Sequence, residues 1–238
     1  MTGNAVVLHL AVEARIANRN DVETPKMSNV LADPIEAYLN ELLPARDRVL
    51  QQMERYAAEH DVPIVGPACG RVLHQLARVL RARRVFEMGS AIGYSTLWLA
   101  RAVGPKGLVF YTDSDPENAR RAETYLKRAR VLDRVRLLTG DAIELLRSAK
   151  GEFDLIFNDV NKDQYPKVLR LAVPRLRLGG LFITDNVLWS GKVAQPRISN
   201  DAETPAIQEF NRLLYSSSKL FTTVIPLRDG LSVSERVR

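Results

Sequence analysis

Short apolar runs and amphipathic segments alternate along the chain between residues 84 and 184. The runs are nearly continuous, which predicts strands covered by helices on both faces, as in a parallel sheet. Asp115 followed by Pro116 predicts a capped helix with proline in its first turn. The predicted strands are residues 84–88, 108–112, 135–138, 154–157 and 181–184. The predicted helices are 95–103, 115–130, a short one capped by Asp141, and 168–176, which Gly179-Gly180 ends.

The chain before the first strand shows a different pattern. Residues 1–26 have no sustained periodicity and predict a weakly ordered N-terminal arm. Residues 27–238 are expected to form a single domain that begins with N-terminal helices. Those helices are predicted at 34–43, with Asp33 as its cap, and at 44–59 and 67–80.

The chain after the last parallel strand contains a hairpin signal. Two apolar runs, 222–227 and 231–237, flank Asp229-Gly230, and this pattern predicts two antiparallel strands. The expected fold class is therefore an α/β, doubly wound, Rossmann-like sheet. It is mostly parallel, has helices on both faces and carries a C-terminal antiparallel hairpin strand. That ending is typical of class I methyltransferases and not of dinucleotide dehydrogenases.

The composition excludes membrane spans and a disulfide framework. No apolar run approaches the roughly 20 residues that a spanning helix needs. The single cysteine, Cys69, cannot form a disulfide within the chain, which fits a reducing compartment. We therefore expect a cytoplasmic protein with no membrane partner.

The formal net charge is +6, which supports two interpretations. A basic surface attracts nucleic acid, acidic cofactors or CoA-like substrates. Alternatively, the arginines lie on solvated helix faces, which is the interpretation we favour because the basic residues are spread along the chain. No basic tract interleaved with aromatic residues, as in single-strand binding proteins, is visible.

The turn after the first predicted strand is a candidate cofactor site. Gly89 and Gly93 allow close approach of the backbone to a ligand at the carboxyl edge of the sheet. Their spacing is G-x-x-x-G, which differs from the G-x-G-x-x-G of dinucleotide sites. Ser95 and backbone N–H groups at the helix start could hold the carboxylate of a methionine moiety. A plain strand-to-helix turn is the alternative.

Two acids further along the chain strengthen the cofactor hypothesis. Asp113 ends the second strand, where an acid can accept both ribose hydroxyls of an adenosine cofactor. Asp141 and Ala142 follow the third strand and are placed to meet the adenine edge. Asp141 is equally well explained as a helix cap, and both roles are compatible. The pattern favours S-adenosylmethionine as the cofactor.

Oxygen-bearing side chains follow the fourth and fifth predicted strands. Asp159 comes after the fourth strand, and Asp185 and Asn186 come after the fifth. Adjacent parallel strands would bring these ends together, and two carboxylates with an amide oxygen suit Mg²⁺, or Mn²⁺ or Ca²⁺ in its place. The alternative is that these acids are solvated loop residues. A divalent cation would lower the pKa of a phenol and orient its oxygen as a nucleophile.

Lys162 lies three residues after Asp159 and is a candidate general base. It could take the phenolic proton, or it could only stabilise the oxyanion. A solvated loop lysine is the third possibility. Trp189 either walls an aromatic substrate or packs within its loop.

Together these motifs resemble the Mg²⁺-dependent O-methyltransferase family of the caffeoyl-CoA and catechol type. The resemblance extends from about residue 30 to the end of the chain. The most specific piece is Asp185-Asn186-x-Leu188-Trp189 together with the earlier Asp159-x-x-Lys162. Other matching pieces are Phe86-Glu87-Met88-Gly89, Gly93-Tyr94-Ser95, Gly140-Asp141-Ala142, residues 153–157, and Pro226 with Asp229-Gly230.

The resemblance implies roles for particular residues. Asp159, Asp185 and Asn186 would be metal ligands, and Asp159 would also lie near the methyl donor. Homodimers are common in the family. Cofactor contacts are implied at Val65, Glu87, Gly89, Ser90, Ser95, Asp113 and Ala142.

The chain also departs from the family pattern at three positions. Asn158 replaces Ile or Val, Asn161 stands where Asp is frequent, and Arg228 precedes Asp-Gly where a small residue, often Gly, is frequent. The metal ligands are intact, so the departures bear on the substrate pocket. That pocket depends on the N-terminal arm and on the loop at 188–201.

The leading hypothesis is a metal-dependent O-methyltransferase that uses S-adenosylmethionine and methylates a hydroxyl of a catechol-like small molecule. One alternative is a tRNA methyltransferase acting on a hydroxylated wobble uridine, which the basic charge would suit. A nicotinamide-dependent oxidoreductase is a further alternative, although the dinucleotide fingerprint is missing. The last alternative is a non-catalytic cofactor-binding protein.

Overall fold

A computed structural model describes residues 30–31, 33–195 and 201–238. Its strands form a seven-stranded sheet in the order β3-β2-β1-β4-β5-β7-β6. The first five strands pair in parallel, and β7 pairs antiparallel with both β5 and β6. The expected fold class is therefore confirmed. The strands are β1 (Arg84–Met88), β2 (Leu108–Asp113), β3 (Val135–Thr139), β4 (Phe153–Asn158), β5 (Leu176–Thr184), β6 (Leu220–Ile225) and β7 (Leu231–Arg236).

Helices cover both faces of this sheet. One face packs around Leu73, Tyr111 and Phe157, and the other packs around Phe86 and Phe182. This double coverage explains the continuous apolar runs in the parallel strands. The helices are α1 (Asp33–Glu41), α2 (Arg48–Glu59), α3 (Gly66–Val79), α4 (Tyr94–Val103), α5 (Pro116–Arg128), α6 (Ala142–Ser148), α7 (Tyr165–Ala172) and α8 (Glu203–Ser216).

The second N-terminal helix starts later than predicted. The sequence placed its start at residue 44, but α2 begins at Arg48 with Asp47 as its N-cap. The Asp47 carboxylate accepts hydrogen bonds from the backbone N–H groups of Val49 and Leu50. This cap also pairs with Arg101 of α4 at 2.7 Å, so it fixes α2 against the core.

The prediction that Gly179-Gly180 ends a helix is wrong. The α-helix stops at Ala172, and both glycines lie within β5. A Cβ on Gly180 would lie 3.0 Å from the carbonyl oxygen of Asp154, so the glycine permits close approach of β4 and β5. The register between these strands shifts at that point.

The sequence did not predict α8. Its apolar positions Ile207, Phe210 and Leu214 recur at helical spacing and are buried. The carboxylate of Asp201 accepts from the backbone N–H groups of Glu203 and Thr204 at the helix start.

The predicted arm, residues 1–26, lies outside the described residues, as does residue 27, where the single domain was predicted to begin. Among the described residues, no helix is both long and apolar enough to cross a membrane.

Candidate active site

A cavity of about 580 Å³ opens at the carboxyl ends of the parallel strands. Its volume lies in the range of small-molecule sites, roughly 300–1,000 Å³. Asp113 and Asp185, which end different strands, both reach it because parallel strands direct their carboxyl ends to the same edge. The lining residues are Asp61 to Ile64, Gly89, Ala91, Thr112 to Asp115, Asn118, Gly140 to Ala142, Asp159 to Lys162, Gln164, Asp185 and Asn186.

Asp113 is held on the cavity wall by contacts to both carboxylate oxygens. Its Oδ2 accepts the backbone N–H of Ala91 at 2.8 Å. Its Oδ1 accepts the backbone N–H of Asp115 at 2.9 Å and the side-chain amide of Asn118 at 3.2 Å. A carboxylate has about four lone-pair positions, so Asp113 can still accept hydrogen bonds from a ligand diol.

Gly89 brings the glycine turn against the end of β4. Its φ of 81° lies in the left-handed region, and a Cβ there would lie 2.4 Å from the carbonyl oxygen of Asp159. Glycine at position 89 therefore allows the turn to contact Asp159. Asp159 is the residue that the sequence analysis expected to bind the metal and to lie near the cofactor.

Four predicted cofactor residues do not line the cavity. These residues are all buried, and they are Val65, Glu87, Ser90 and Ser95. Burial raises the pKa of Glu87 to about 7, against hydrogen bonds from Ser95, Thr96 and Ser90 that lower it. The Oε2 of Glu87 accepts the hydroxyl of Thr96, and its Oε1 has no hydrogen-bond partner among the described residues.

Asp141 performs the capping role that the sequence allowed. Its Oδ1 accepts the backbone N–H of Glu144 at 2.9 Å, and the next residue, Ala142, begins α6. Both residues also line the cavity. The cap and a ligand contact are therefore compatible.

Asp159, Asp185 and Asn186 line the same cavity as Asp113. The backbone holds them together, because the N–H of Asp185 donates to the carbonyl of Asn158 at 3.2 Å. The hydroxyl of Tyr165 donates to the carbonyl of Asp185 at 2.9 Å. Burial, assisted by the negative charge of Asp159, raises the pKa of Asp185 to about 7.

The donor set fits a hard divalent cation. The described residues contain no cluster of three or more His, Cys, Asp or Glu side chains arranged for a metal ion. The set is instead two carboxylates and one amide, to which water and substrate oxygens add in sites of this type. Burial and, after it, the negative charge of Asp159 raise the pKa of Asp185, and a cation beside both carboxylates would lower it.

Lys162 lies directly beside this acidic edge. Its Nζ is 3.1 Å from Oδ1 of Asp159 and 3.4 Å from the carbonyl oxygen of Val160. The same atom is 5.9 Å from the centre of the Trp189 ring. Lys162, Asp159 and Trp189 are therefore close together, although Trp189 is not among the residues that line the cavity.

Several lining residues were not predicted as site residues. The segment 61–64 lies between two helices, and its sequence carries no motif. Asn118 is five residues after Asp113 in the first turn of α5, and its side-chain amide donates to Asp113. Gln164 lies in a short 3-10 turn after Lys162.

Comparison with known proteins identifies the family of this chain. Residues 41–237 match a family model described as O-methyltransferase. The chain is 31% identical over 210 residues to a catechol O-methyltransferase of Niastella koreensis, covering 84% of this chain and 93% of that one. It is 32% identical over 194 residues to a catechol O-methyltransferase of Mycobacterium tuberculosis, covering 80% and 87% respectively.

Solved structures agree with these relatives. An O-methyltransferase from Bacillus cereus in complex with SAH has a TM-score of 0.77 and 28% identity, covering 85% of this chain and 97% of that chain. The O-methyltransferase TomG from Streptomyces achromogenes, in complex with SAM, has a TM-score of 0.78 and 29% identity. That match covers 92% of this chain and 100% of TomG.

Proposed function

The chain belongs to the O-methyltransferase family and uses S-adenosylmethionine, and we propose that it methylates a hydroxyl of a catechol-like aromatic small molecule in a divalent-metal-dependent reaction. The observation that carries this proposal is the meeting of Asp159, Asp185 and Asn186 in one cavity with Lys162. The names of the two catechol O-methyltransferases support the same class of acceptor.

In this proposal Asp113 binds the ribose hydroxyls, and Gly89, Asp141 and Ala142 contact the rest of the cofactor. Val65, Glu87, Ser90 and Ser95 support the same site from behind its wall. The bound cofactor supplies an electrophilic methyl group. Asp159, Asp185 and Asn186 would hold Mg²⁺, or Mn²⁺ or Ca²⁺, which when bound lowers the pKa of a phenol and orients its oxygen.

Lys162 is the proposed proton acceptor. As the acceptor oxygen forms its bond to the methyl carbon, the bond from that carbon to the cofactor sulfur breaks, leaving S-adenosylhomocysteine. The phenolic proton would pass to Nζ of Lys162, whose neutral form a dication bound at Asp159 would favour. We propose that Trp189, whose ring centre lies 5.9 Å from that atom, contacts the aromatic ring of the acceptor.

Transfer from labelled S-adenosylmethionine tests the proposal. The acceptors would be catechols, CoA esters, flavonoids and hypomodified tRNA, each with Mg²⁺ or with EDTA. We expect methylation of a vicinal-oxygen aromatic that EDTA abolishes. Methylation of tRNA alone, with binding that weakens as salt rises, would support the wobble-uridine alternative instead.

Two variants separate the metal site from general charge effects. Asp159→Ala should lose turnover, whereas Asp163→Ala, which removes an exposed acid four residues later, should retain it. Full activity of Asp159→Ala in EDTA would overturn the metal dependence. We also expect a homodimer, which light scattering of the purified chain would measure.

A further inference from the structure

Tyr94, the first residue of α4, follows the glycine turn and is joined to α2 through its hydroxyl. Its side chain is buried, and the hydroxyl donates to Oε1 of Glu54 at 2.7 Å. Burial and, after it, this hydrogen bond raise the pKa of Tyr94, so the phenol keeps the proton that it donates. The start of the helix behind the turn is therefore held by a residue of another helix.

A second contact orients the carboxylate that receives this hydrogen bond. Nε of Arg46 lies 3.0 Å from Oε1 and 3.1 Å from Oε2 of Glu54, and Nη2 of the same guanidinium donates to Oε2 at 2.9 Å. Contact with both oxygens fixes the orientation of a carboxylate as well as its position. The side chains are 29% and 18% exposed, so water and salt screen the pair only in part. Glu54 accordingly presents one fixed oxygen to Tyr94.

The same two helices are joined at another point, which defines their relative direction. Asp47, the N-cap of α2, pairs with Arg101 near the end of α4 at 2.7 Å. Glu54 lies seven residues after Asp47, and Tyr94 lies seven residues before Arg101. At about 1.5 Å per residue both separations are roughly 10 Å, so the two contacts match when the helices run antiparallel. Of the two contacts, only that of Tyr94 lies at the glycine turn.

Both ends of the Tyr94 contact lead to the wall of the cavity. Helix α2 is followed by the segment 61–64, which lines the cavity. The turn that precedes Tyr94 lines it through Gly89 and Ala91. Gly93, with a φ of 83°, is the left-handed N-cap of α4 and joins this turn directly to Tyr94. One hydrogen bond thus connects two segments of the cavity wall.

We propose that Glu54 is a positioning residue for S-adenosylmethionine: by holding Tyr94, it keeps the glycine turn and the segment 61–64 at the spacing that the cofactor requires. Arg46 supports this role by orienting the carboxylate. Glu54 does not line the cavity, so it acts through Tyr94 and the turn. The role rests on the cofactor site of the proposed function and requires neither the metal nor the acceptor.

Calorimetry with S-adenosylhomocysteine, without metal or acceptor, tests this role. Tyr94→Phe removes the donor and keeps the ring, and Glu54→Ala removes the acceptor. Each should weaken binding by about three- to tenfold, the size of one ordinary hydrogen bond. The double variant should lose no more than the larger single loss, because the two residues form one contact. Glu54→Gln keeps an oxygen that can accept from Tyr94 and should stay within about twofold of the unmodified chain.

Arg101→Gln is the matched control, because it breaks the other contact between the same helices, seven residues from Tyr94. It should lower Tm, as Tyr94→Phe does, yet bind S-adenosylhomocysteine within about twofold of the unmodified chain. In turnover with labelled S-adenosylmethionine, Tyr94→Phe should raise KM for the cofactor and leave kcat at saturating cofactor unchanged. Circular dichroism reports whether each variant is folded.

Tyr94→Phe that binds S-adenosylhomocysteine as tightly as the unmodified chain would overturn the positioning role. Equal losses of affinity in Tyr94→Phe and Arg101→Gln would also overturn it, since they would reflect only the stability of α2 on the core. Losses that add in the double variant would count against a shared contact. These outcomes leave the proposed metal and acceptor untouched, whereas an unmodified chain that binds no S-adenosylhomocysteine would contradict the proposed function as well.

Discussion

The side-chain nitrogen of Asn186 lies 3.4 Å from Oδ2 of Asp229, and both residues are buried. An ionised carboxylate only accepts hydrogen bonds, so this contact orients the amide with its NH₂ toward Asp229. The amide oxygen is then left for the metal that we propose. Asp229 also accepts the backbone N–H of Ser190, which joins the orientation of Asn186 to the loop that carries Trp189.

Replacing Asp229 should therefore weaken metal binding. Residues that hydrogen-bond to a metal-ligating side chain typically contribute about 10–100-fold to metal affinity. We therefore expect Asp229→Ala to lose about that much Mg²⁺ affinity. Asp229→Asn can turn its own carbonyl toward Asn186 and should lose less. Calorimetry with Mg²⁺ measures both, with circular dichroism as the folding control. Equal Mg²⁺ affinity in Asp229→Ala and the unmodified chain would contradict this role.

Asp113 should determine cofactor affinity. A hydrogen bond to a charged group contributes about 1.5–3 kcal/mol, so Asp113→Asn should weaken S-adenosylmethionine binding by about 10–100-fold. Glu123→Gln is the matched control, because it removes an exposed acid of α5 that does not line the cavity. Equilibrium binding of S-adenosylhomocysteine measures the difference. Comparable losses in the two variants would indicate a general charge effect instead.

Lys162 should affect turnover more than binding. If its Nζ takes the phenolic proton, Lys162→Ala should lower kcat by about 10²–10⁴-fold with a smaller change in KM. Its residual activity should rise with pH, because the acceptor then ionises without help from the enzyme. Lys162→Arg keeps a positive charge near Asp159 but is a poor base, so it separates proton transfer from charge stabilisation. Unchanged kcat in Lys162→Ala would leave the lysine without a catalytic role.

The residues at strand ends were predictable because the pattern of strands fixes their position. Asp113, Asp159 and Asp185 each follow a continuous apolar run, and parallel strands place such residues at one edge. Asp113 consequently shares one cavity with Asp159 and Asp185, although four other predicted cofactor residues do not line it. Asp229-Gly230 was equally informative, since an Asp-Gly pair between apolar runs specifies a hairpin by local chemistry alone.

The remaining features depend on contacts between distant parts of the chain. Gly180 resembles a helix terminator in sequence, but its position is determined by the carbonyl of Asp154 on the neighbouring strand. The segment 61–64 reaches the cavity because α2 and α3 place it there, and no local pattern signals this. Asn158 is a fully buried polar residue at the end of β4, and its Oδ1 has no hydrogen-bond partner among the described residues. The pattern of apolar and polar positions therefore does not explain why a polar side chain stands there.

Asp154 joins three strand ends at the edge of the sheet opposite the cavity. Its Oδ2 accepts the backbone N–H groups of Arg83 and Arg84, both at 2.8 Å, and its Oδ1 accepts Nε of Arg177 at 2.6 Å. Burial raises the pKa of Asp154, but the hydrogen bonds from Arg177 and from the two backbone groups outweigh it and leave the pKa lowered.

This lowered pKa predicts a pH-dependent contribution to stability. The unfolded chain binds the proton more readily than the folded one, so the contribution is present above about pH 4, the ordinary value for Asp, and is lost as pH falls through the folded value. Asp154→Asn should reduce the free energy of unfolding at pH 7 by about 1–3 kcal/mol. Urea unfolding from pH 3 to pH 7 should show the difference between variant and unmodified chain narrowing toward acid. A difference that stays constant across this range would mean that packing, and not the charge of Asp154, holds the three strand ends together.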